Sequence, residues 1–398
     1  MSLFLPLRRA AAALVMLACA SAQAAPYTPT SDEQVVERLP ASASDPSVRR
    51  VDSLRKQLAA RPTDAALRLE IAQRYFDLAM AQGDPRYVGY ASAAIAPLAA
   101  SASNNAGYWL LHGLIAQYSH DFSGALKSLN KASELDPQSA DAVAWRSAIH
   151  MVQANYSAAL SECTRLVPLT EPLQAQGCTA YVQASTGQLA AAYDALGRAL
   201  ASAPDAAPEL ALWLRTRLAE MAIRLQRDKE AQAHFNAALK LGLTDQFLLG
   251  AYADFLLQQK RPAEVITLLA DWERSDILLL RLALAGRLVG NPKAADWASQ
   301  LRDRFAAAAQ RGDRLHEQEA ARFELDIEGK PAKALELAVR NYGTQKEARD
   351  AQVLMRAALA AKQAKAAQPA LDWLRSSRYE DPALAALADQ LVALGATR

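Results

Sequence analysis

A segment of about 34 residues recurs along this chain of 398 residues, and no other feature restricts the possible fold as much. Its clearest copy has Trp109, Gly113, Ala125 and Leu129 at the fourth, eighth, twentieth and twenty-fourth places. Small residues at two of these places let two antiparallel helices approach closely, and large apolar residues fill the space between them. Pro137 stops the second helix before the next copy. Copies begin at Ala106, Ala140, Leu173, Leu212, Gln246, Asp276, Leu315 and Ala351.

The composition favours a helical chain with enough apolar residues to form a core. Hydrophobic residues make up 52% of the sequence, whereas glycine (16) and proline (18) are both sparse. Alanine and leucine, which lose little entropy in a helix, are abundant. No segment alternates apolar and polar residues for long, so we expect no strands and an all-α fold.

The copy that begins at Ala106 resembles a tetratricopeptide repeat, and the resemblance extends from Ala65 to Pro382. It implies a right-handed α-solenoid of antiparallel helix pairs, in which each repeat contacts its neighbours and the stack presents a concave inner surface. We assign residues 47–398 to this solenoid. The alternative is an irregular helical bundle whose periodicity is accidental.

Less regular helices are expected at both ends of the repeats. A solitary helix is predicted over 48–60, and a first helix pair begins with a long helix over 65–82. Asp84-Pro85 breaks that helix, and its partner is predicted to run to about Ala100. Residues 383–394 are predicted to form a closing helix that covers the last repeat.

The N-terminus is typical of an exported protein. Residues 1–24 contain a basic pair, a short apolar run and small residues at the cleavage positions, which together predict a secretory signal peptide. The run is too short to span a bilayer, although a retained membrane anchor is one alternative and a lipoprotein modified at Cys19 is another. Residues 25–46 are polar and rich in proline and serine, and we expect a flexible leader there. The predicted location is periplasmic or secreted.

The charge pattern argues against nucleic acid and against a stable membrane span. The chain has 44 basic and 42 acidic residues, and two of the arginines lie in the signal peptide, so the mature chain is near neutral. Nucleic-acid-binding proteins usually carry a basic stripe, and none is visible here. The longest apolar run of the mature chain, residues 277–289, is interrupted by Arg281 and Arg287 and reads as a buried helix.

No catalytic motif stands out in the sequence. His316-Glu317 lacks the second histidine that zinc proteases require, and neither a glycine-rich phosphate loop nor a glycine-flanked serine is present. His112 and His150 fall on predicted first helices near the contact between helices, where a histidine usually has a packing role. We therefore expect no cofactor, no metal and no enzymatic activity, and an enzyme is the third class of function considered.

The resemblance implies that the first helix of each pair lines the concave groove. Carried over place by place, it assigns to the groove Tyr118, Tyr181, Trp213, Glu220, Arg224, Phe247, Asp254 and Arg287. The structural alternative for each is an ordinary solvated or packing residue. Some relatives bind peptide C-termini through lysines and asparagines, but the matching places here hold Leu110, Ala144 and Gly177, so this carboxylate clamp is absent.

Two cysteines remain after removal of the signal peptide, an even number in an oxidising compartment. Cys163 falls on a second helix and Cys178 on the first helix of the next repeat. Such helices pack side by side in the resembling family, which implies a disulfide between them; the alternative is two buried free thiols.

The sequence favours a periplasmic scaffold that holds a protein or peptide partner in a concave groove. The alternative is a component of an envelope polysaccharide synthesis or export system, where repeat proteins of this type also occur. The sequence leaves the identity of the partner open.

Overall fold

The computed structural model describes residues 46–396. The predicted signal peptide lies outside these residues, and so does the predicted leader except for Pro46. The chain divides into two units, 1–49 and 50–398, and the second contains every described helix except the first turn of the first helix.

Twenty α-helices make up most of the described residues, which include no strand. They are α1 (Pro46–Ala60), α2 (Ala65–Gln82), α3 (Arg86–Ile95), α4 (Ala106–Tyr118), α5 (Phe122–Leu135), α6 (Ala140–Val152), α7 (Tyr156–Leu166), α8 (Pro172–Ala184), α9 (Leu189–Ala201), α10 (Pro208–Arg224), α11 (Asp228–Leu239), α12 (Gln246–Gln258), α13 (Pro262–Leu268), α14 (Asp276–Val289), α15 (Ala294–Gln310), α16 (Glu317–Asp326), α17 (Pro331–Thr344), α18 (Ala348–Ala360), α19 (Gln368–Ser377) and α20 (Pro382–Ala396). Two 3₁₀ helices cover Ala96–Asn104 and Ala364–Ala367.

The helices from α2 to α19 pack as consecutive hairpins, from α2/α3 to α18/α19. Each hairpin also packs against the next one, and α20 covers α18 at the C-terminal end. This is the predicted all-α solenoid of helix pairs, with a helix before the hairpins and a closing helix after them. Within residues 46–396 no helix is both long and apolar enough to cross a membrane.

Side-chain caps and prolines determine where the helices begin. Asp64, Asn105 and Asp245 precede α2, α4 and α12, and each carboxylate or amide oxygen accepts a hydrogen bond from a backbone N–H three residues on, at 2.7–3.0 Å. These bonds satisfy donors that have no partner inside the helix. Pro172 and Pro208 take the first position of α8 and α10, where the missing N–H costs nothing.

Four predicted repeats begin where the structure begins a first helix, and the other four differ by no more than four residues. The matching starts are Ala106, Ala140, Gln246 and Asp276. The shifted ones are Pro172, Pro208, Glu317 and Ala348, where the sequence pattern gave Leu173, Leu212, Leu315 and Ala351. The pattern marks where helices cross, so it does not fix the first residue of a helix; in three of the four cases the helix begins earlier than the pattern, and at Glu317 it begins two residues later.

The prediction that the second helix of the first pair runs to about Ala100 is wrong. The α-helix α3 ends at Ile95, and a 3₁₀ helix continues to Asn104. Pro97 stands one residue into that segment; it has no N–H to donate and restricts the residue before it, which ends the α-helical hydrogen bonding.

Within the hairpin α4/α5, the small residues of the repeat pattern serve the close approach they predict. A Cβ atom on Gly113 would lie 2.8 Å from Leu129 Cγ and 3.3 Å from the carbonyl oxygen of Ala125. Leu129 and Ala125 are both fully buried. The leucine of the second helix therefore fills the space that the glycine of the first helix leaves open.

Candidate functional site

The predicted groove residues fall into four groups in the structure. Polar contacts to first helices or their ends are made by Tyr181, Glu220, Asp254 and Arg287. Arg224 bonds to a segment near the C-terminus. Tyr118 lines a cavity. Trp213 and Phe247 are half-buried, and Trp213 packs against the main hydrophobic core.

Tyr181 of α8 contacts Arg217 of α10, a residue that the sequence did not assign to the groove, and Arg217 in turn contacts Glu220, which the sequence did assign to it. The Arg217 guanidinium lies 4.9 Å from the centre of the Tyr181 ring and donates a hydrogen bond to its hydroxyl at 3.2 Å. Glu220 holds Arg217 from the other side at 2.8 Å. Burial raises the pKa of Tyr181, so the phenol stays neutral and acts as a hydrogen-bond acceptor here.

Asp254 of α12 joins two arginines from the next two first helices. Arg281 of α14 donates to its carboxylate through Nε at 3.1 Å and through a second nitrogen, and Arg322 of α16 pairs with it at 2.8 Å. Burial would raise the pKa of Asp254, but the two guanidinium groups hold it below its usual value. The pairing continues, because Asp326 contacts both Arg322 and, at 2.6 Å, Arg356 of α18.

Arg287 and Trp213 use different contacts. The Arg287 guanidinium donates to the carbonyl oxygens of Asp326 and Ile327 at the end of α16, which attracts a cation there. The Trp213 ring occupies the space beside Gly177, since a Cβ on Gly177 would lie 2.7 Å from it. Gly177 stands where the carboxylate clamp of some relatives has a lysine or asparagine, and its missing side chain makes room for the Trp213 ring.

Charged residues that sequence reasoning missed extend this lining. Glu347 and Arg349, at the start of α18, pair at 2.6 Å and lie close enough to Tyr181 to affect its pKa. Burial would raise the pKa of Glu319 of α16, but His316, which lies 3.8 Å away, lowers that pKa to about 2. We define the inner charged surface as Arg217, Glu220, Asp254, Arg322, Glu347 and Arg349; Arg281 and Glu319 beside them are buried.

Arg224, at the end of α10, binds the turn between α19 and α20. This C-terminal turn comprises Arg378–Asp381. The Arg224 guanidinium lies 3.7 Å from the centre of the Tyr379 ring, and its Nε donates to the carbonyl oxygen of Glu380 at 2.9 Å. The side chain of Glu380 accepts a hydrogen bond from the N–H of Leu189 at 2.7 Å, at the first residue of α9.

Three more contacts continue from this turn along the tips of earlier hairpins. Trp373 donates its indole N–H to the hydroxyl of Tyr156 at 2.9 Å, and the backbone N–H of Lys346 donates to the carbonyl of Val152 at 2.7 Å. The His120 ring lies 3.4 Å from the side-chain amide of Gln345. We call this row of contacts the seam; it joins hairpins α4/α5 to α10/α11 with residues 345–381.

A cavity of about 520 Å³ lies near one end of the seam. Tyr118 and His120 line it from α4 and the following turn, and Arg314, Glu317 and Gln345 line it from the C-terminal half. Burial raises the pKa of Tyr118, so its hydroxyl is neutral. Burial and the neighbouring His316 lower the pKa of His120, so this ring is uncharged near neutral pH.

The histidines have structural neighbours. His112 contacts the Ser128 hydroxyl at 3.0 Å, and His234 contacts the Tyr193 hydroxyl at 3.1 Å. Among the described residues no group of three or more histidine, cysteine or acidic side chains is placed to hold a metal ion.

The structure joins Cys163 and Cys178 by a disulfide, with their Cα atoms 5.5 Å apart. It links α7 to α8, as the resemblance implied. The hydroxyl of Ser147 on α6 lies 3.4 Å and 3.3 Å from the two sulfur atoms. The disulfide and the Ser147 hydroxyl therefore bring three consecutive helices together at one point.

The comparison with known proteins gave only structural matches. No protein-family model matches the chain. No curated protein matches its sequence.

The matches among solved structures have low sequence identity. The Cut9–Hcn1 hetero-tetramer of the APC/C is 17% identical with a TM-score of 0.41, and the match covers 78% of this chain and 52% of that one. Yeast Tom70 is 13% identical with a TM-score of 0.42, over 89% of this chain and 86% of that one. PilW, a widely conserved type IV pilus biogenesis factor, is 19% identical with a TM-score of 0.35, and the match covers 59% of this chain and 94% of that one.

The chain spans about half the length of the Cut9–Hcn1 chain that it matches. Its own consecutive hairpins, with small residues such as Gly113 and Ala125 where the helices cross, define the architecture. A solenoid of this kind presents an extended surface built from several repeats. The described part of the chain is an all-α solenoid of consecutive helical hairpins, the fold that the repeat pattern predicts.

Proposed function

We propose that this protein is a scaffold that holds a protein partner along its inner charged surface, in the periplasm or outside the cell. One observation carries the proposal: successive first helices direct charged side chains to a surface that water still reaches. Side-chain exposure is 37% for Glu220, 27% for Asp254 and 51% for Arg349, although all three are ion-paired.

These charges suit protein recognition because each is held in place before a partner arrives. Arg217 lies between Tyr181 and Glu220, and Arg349 is paired with Glu347. A partner that brings its own acidic and basic side chains can join such pairs without ordering the scaffold first. Exposed arginines also rank among the residue types that most often dominate binding energy.

The proposed location rests on two features. The first 24 residues have the pattern of a secretory signal peptide, and disulfides such as Cys163–Cys178 persist mainly in oxidising compartments. N-terminal sequencing of the exported protein is expected to start at Ala25. A blocked N-terminus carrying lipid on Cys19 would instead establish a lipoprotein.

The test of the function compares inner and outer variants of the mature chain in cross-linking to envelope extract. Arg349→Ala and Glu220→Gln change the inner charged surface, whereas Arg198→Ala and Lys127→Ala change exposed positions on second helices. Trp213 is unsuitable because its packing beside Gly177 ties it to stability.

We expect the inner variants to lose the cross-linked partner about tenfold relative to wild type and the outer variants to retain it. Retention by the inner variants with loss in the outer ones would place binding on the convex side. Circular dichroism of all four variants checks that the helices persist.

The cavity of about 520 Å³ favours a second candidate, a component of a polysaccharide synthesis or export system. Its volume is within the range of small-ligand sites, and Tyr118, Glu317 and Gln345 offer an aromatic face and polar groups of the kind that hold a sugar. Binding of a soluble oligosaccharide that is lost in Tyr118→Ala but kept in Arg349→Ala would favour this candidate over the first.

A further inference from the structure

The C-terminal turn occupies a site on the seam in the manner of a bound peptide. We infer that this site recognises a partner segment in which an aromatic residue directly precedes a glutamate, and that such a segment replaces Tyr379 and Glu380. The inference rests on the proposed scaffold function and names the chemistry of the partner.

The aromatic half of the site is the face of Arg224. Its guanidinium lies 3.7 Å from the centre of the Tyr379 ring, a distance at which a cation and an aromatic ring attract. A second nitrogen of Arg224 donates to the carbonyl oxygen of Ala184 at the end of α8, within the same hairpin stack. That bond does not involve the turn, so it holds the guanidinium in position when the turn leaves.

The acidic half of the site is the start of α9. The N–H of Leu189 has no side-chain cap from Gln188, and the carboxylate of Glu380 supplies the acceptor at 2.7 Å. Backbone donors at the start of a helix favour a negatively charged acceptor. A glutamate placed after the aromatic residue therefore satisfies a donor that the hairpin itself leaves open.

The chain approaches this site closely at Gly187. This residue has a positive φ of 82°, and a Cβ on it would lie 3.1 Å from the Cβ of Arg378. Glycine adopts such a backbone at little cost, and the missing side chain lets the turn lie against the hairpin tip. The site is thus formed by the hairpin tip, which Arg378 of the turn contacts closely.

The turn is able to leave because it is a short connection between two helices. It joins α19 to α20, and Arg378 and Glu380 are exposed. Exposed connections with few buried contacts open at lower free-energy cost than packed helix pairs. The turn therefore acts as an internal competitor that a partner segment must displace.

The experiment measures binding of a fluorescein-labelled peptide, Ser-Arg-Tyr-Glu-Asp-Pro, to the full mature chain by anisotropy. The peptide copies residues 377–382, and a peptide with alanines in place of tyrosine and glutamate is the control ligand. The competitor is disabled by Tyr379→Ala with Glu380→Ala. We expect this double variant to bind the peptide at least tenfold more tightly than wild type.

Adding Arg224→Ala to the double variant is expected to weaken binding at least tenfold. The matched control is Arg227→Ala, because Arg227 also lies over an aromatic ring, Tyr193, at 5.2 Å, but has no contact with the turn. Arg227→Ala should leave binding unchanged. If Arg224→Ala does not fold, Arg224→Lys keeps the charge and loses the flat guanidinium, and the same loss is expected.

Equal peptide binding by wild type and the double variant, or by variants with and without Arg224, would overturn the inference. Cross-linking separates this result from the proposed function. A partner that depends on Arg349 but not on Arg224 leaves the scaffold function in place while the inference fails. Peptide binding with no cross-linked partner that depends on the inner charged surface would leave the inference in place while the proposed scaffold function fails.

Discussion

Contacts within hairpins and contacts between first helices differ in kind, and residues 106–239 and 246–360 each illustrate one of them. In the earlier region, which we call the apolar block, Gly113 of a first helix admits the large apolar side chain of Leu129 from the second helix of the same hairpin. In the later region, the charged block, Asp254, Arg281 and Arg322 link three successive first helices by ion pairs.

The two kinds of contact leave different traces in the sequence. The pattern records places where helices touch through small side chains, but long arginines bridge first helices without needing a glycine or alanine there. Arg281 spans from α14 to the carboxylate of Asp254 and the carbonyl of Gly250. One solenoid therefore continues through both blocks, although only the contacts within hairpins follow the repeat pattern.

The largest effect is expected in the apolar block. Leu129→Ala removes a fully buried side chain that fills the space beside Gly113, and such a cavity should lower the free energy of unfolding by about 4 kcal/mol. Leu160→Ala, on the outer side of α7 with 40% exposure, should change it by less than about 0.5 kcal/mol. Urea unfolding of both variants measures the contrast; equal effects would show that the hairpin contact is not tightly packed.

In the charged block, Asp254→Ala should cost about 3 kcal/mol, because it leaves Arg281 buried with only carbonyl acceptors. Replacing the pair together, Asp254→Leu with Arg281→Met, should restore most of that loss, since Arg322 keeps its contact with Asp326 and no buried charge then remains unpaired. Urea unfolding compares the single and double variants. A double variant as unstable as the single one would mean that the ion pair itself stabilises this block.

The disulfide is expected to matter slightly less. It closes a loop of 15 residues between α7 and α8, and its loss should lower the free energy of unfolding by about 2 to 3 kcal/mol. Cys163→Ala with Cys178→Ser tests this by urea unfolding. Thiol counting on the unfolded, unreduced wild-type protein should find no free thiol, and two would contradict the bond.

The sequence was sufficient for the helix pairs but not for the contacts between distant repeats. Gly113 and Ala125 reveal their role because their partners lie within one hairpin. Arg224 was assigned to the groove from its place in the repeat, but its partners Tyr379 and Glu380 lie more than 150 residues away. Which repeats meet depends on small rotations accumulated from hairpin to hairpin, and no local pattern encodes their sum.

A pH effect distinguishes the start of α18. Burial, helped by the charge of Glu347, raises the pKa of Asp350 to about 7 although Arg349 opposes the shift. The folded state then keeps a proton that the unfolded state releases above its ordinary pKa of 3.8. The resulting stability is fully present below pH 3.8 and is lost as the pH rises through about 7.

Asp350→Asn should remove this dependence. Between pH 5 and pH 6.5, the free energy of unfolding of wild type should fall relative to that of the variant by about 1 kcal/mol per pH unit. Urea unfolding across this range measures the difference. Parallel profiles for the two proteins would show that Asp350 is ionised in the folded state.

The smallest effect is expected for an ion pair on the outer side of the charged block. Arg302 of α15 contacts Glu328 at 2.6 Å, a geometry similar to the inner pairs, but its side chain is 52% exposed. Water competes for such a pair and holding two long side chains costs entropy, so Arg302→Ala should change the free energy of unfolding by less than about 0.5 kcal/mol. Asp254→Ala should exceed it several-fold in the same urea experiment, although each variant removes one partner of an arginine–carboxylate contact. Similar losses for the two variants would mean that burial does not set the strength of the inner pairs, and the contrast between the blocks would then need another cause.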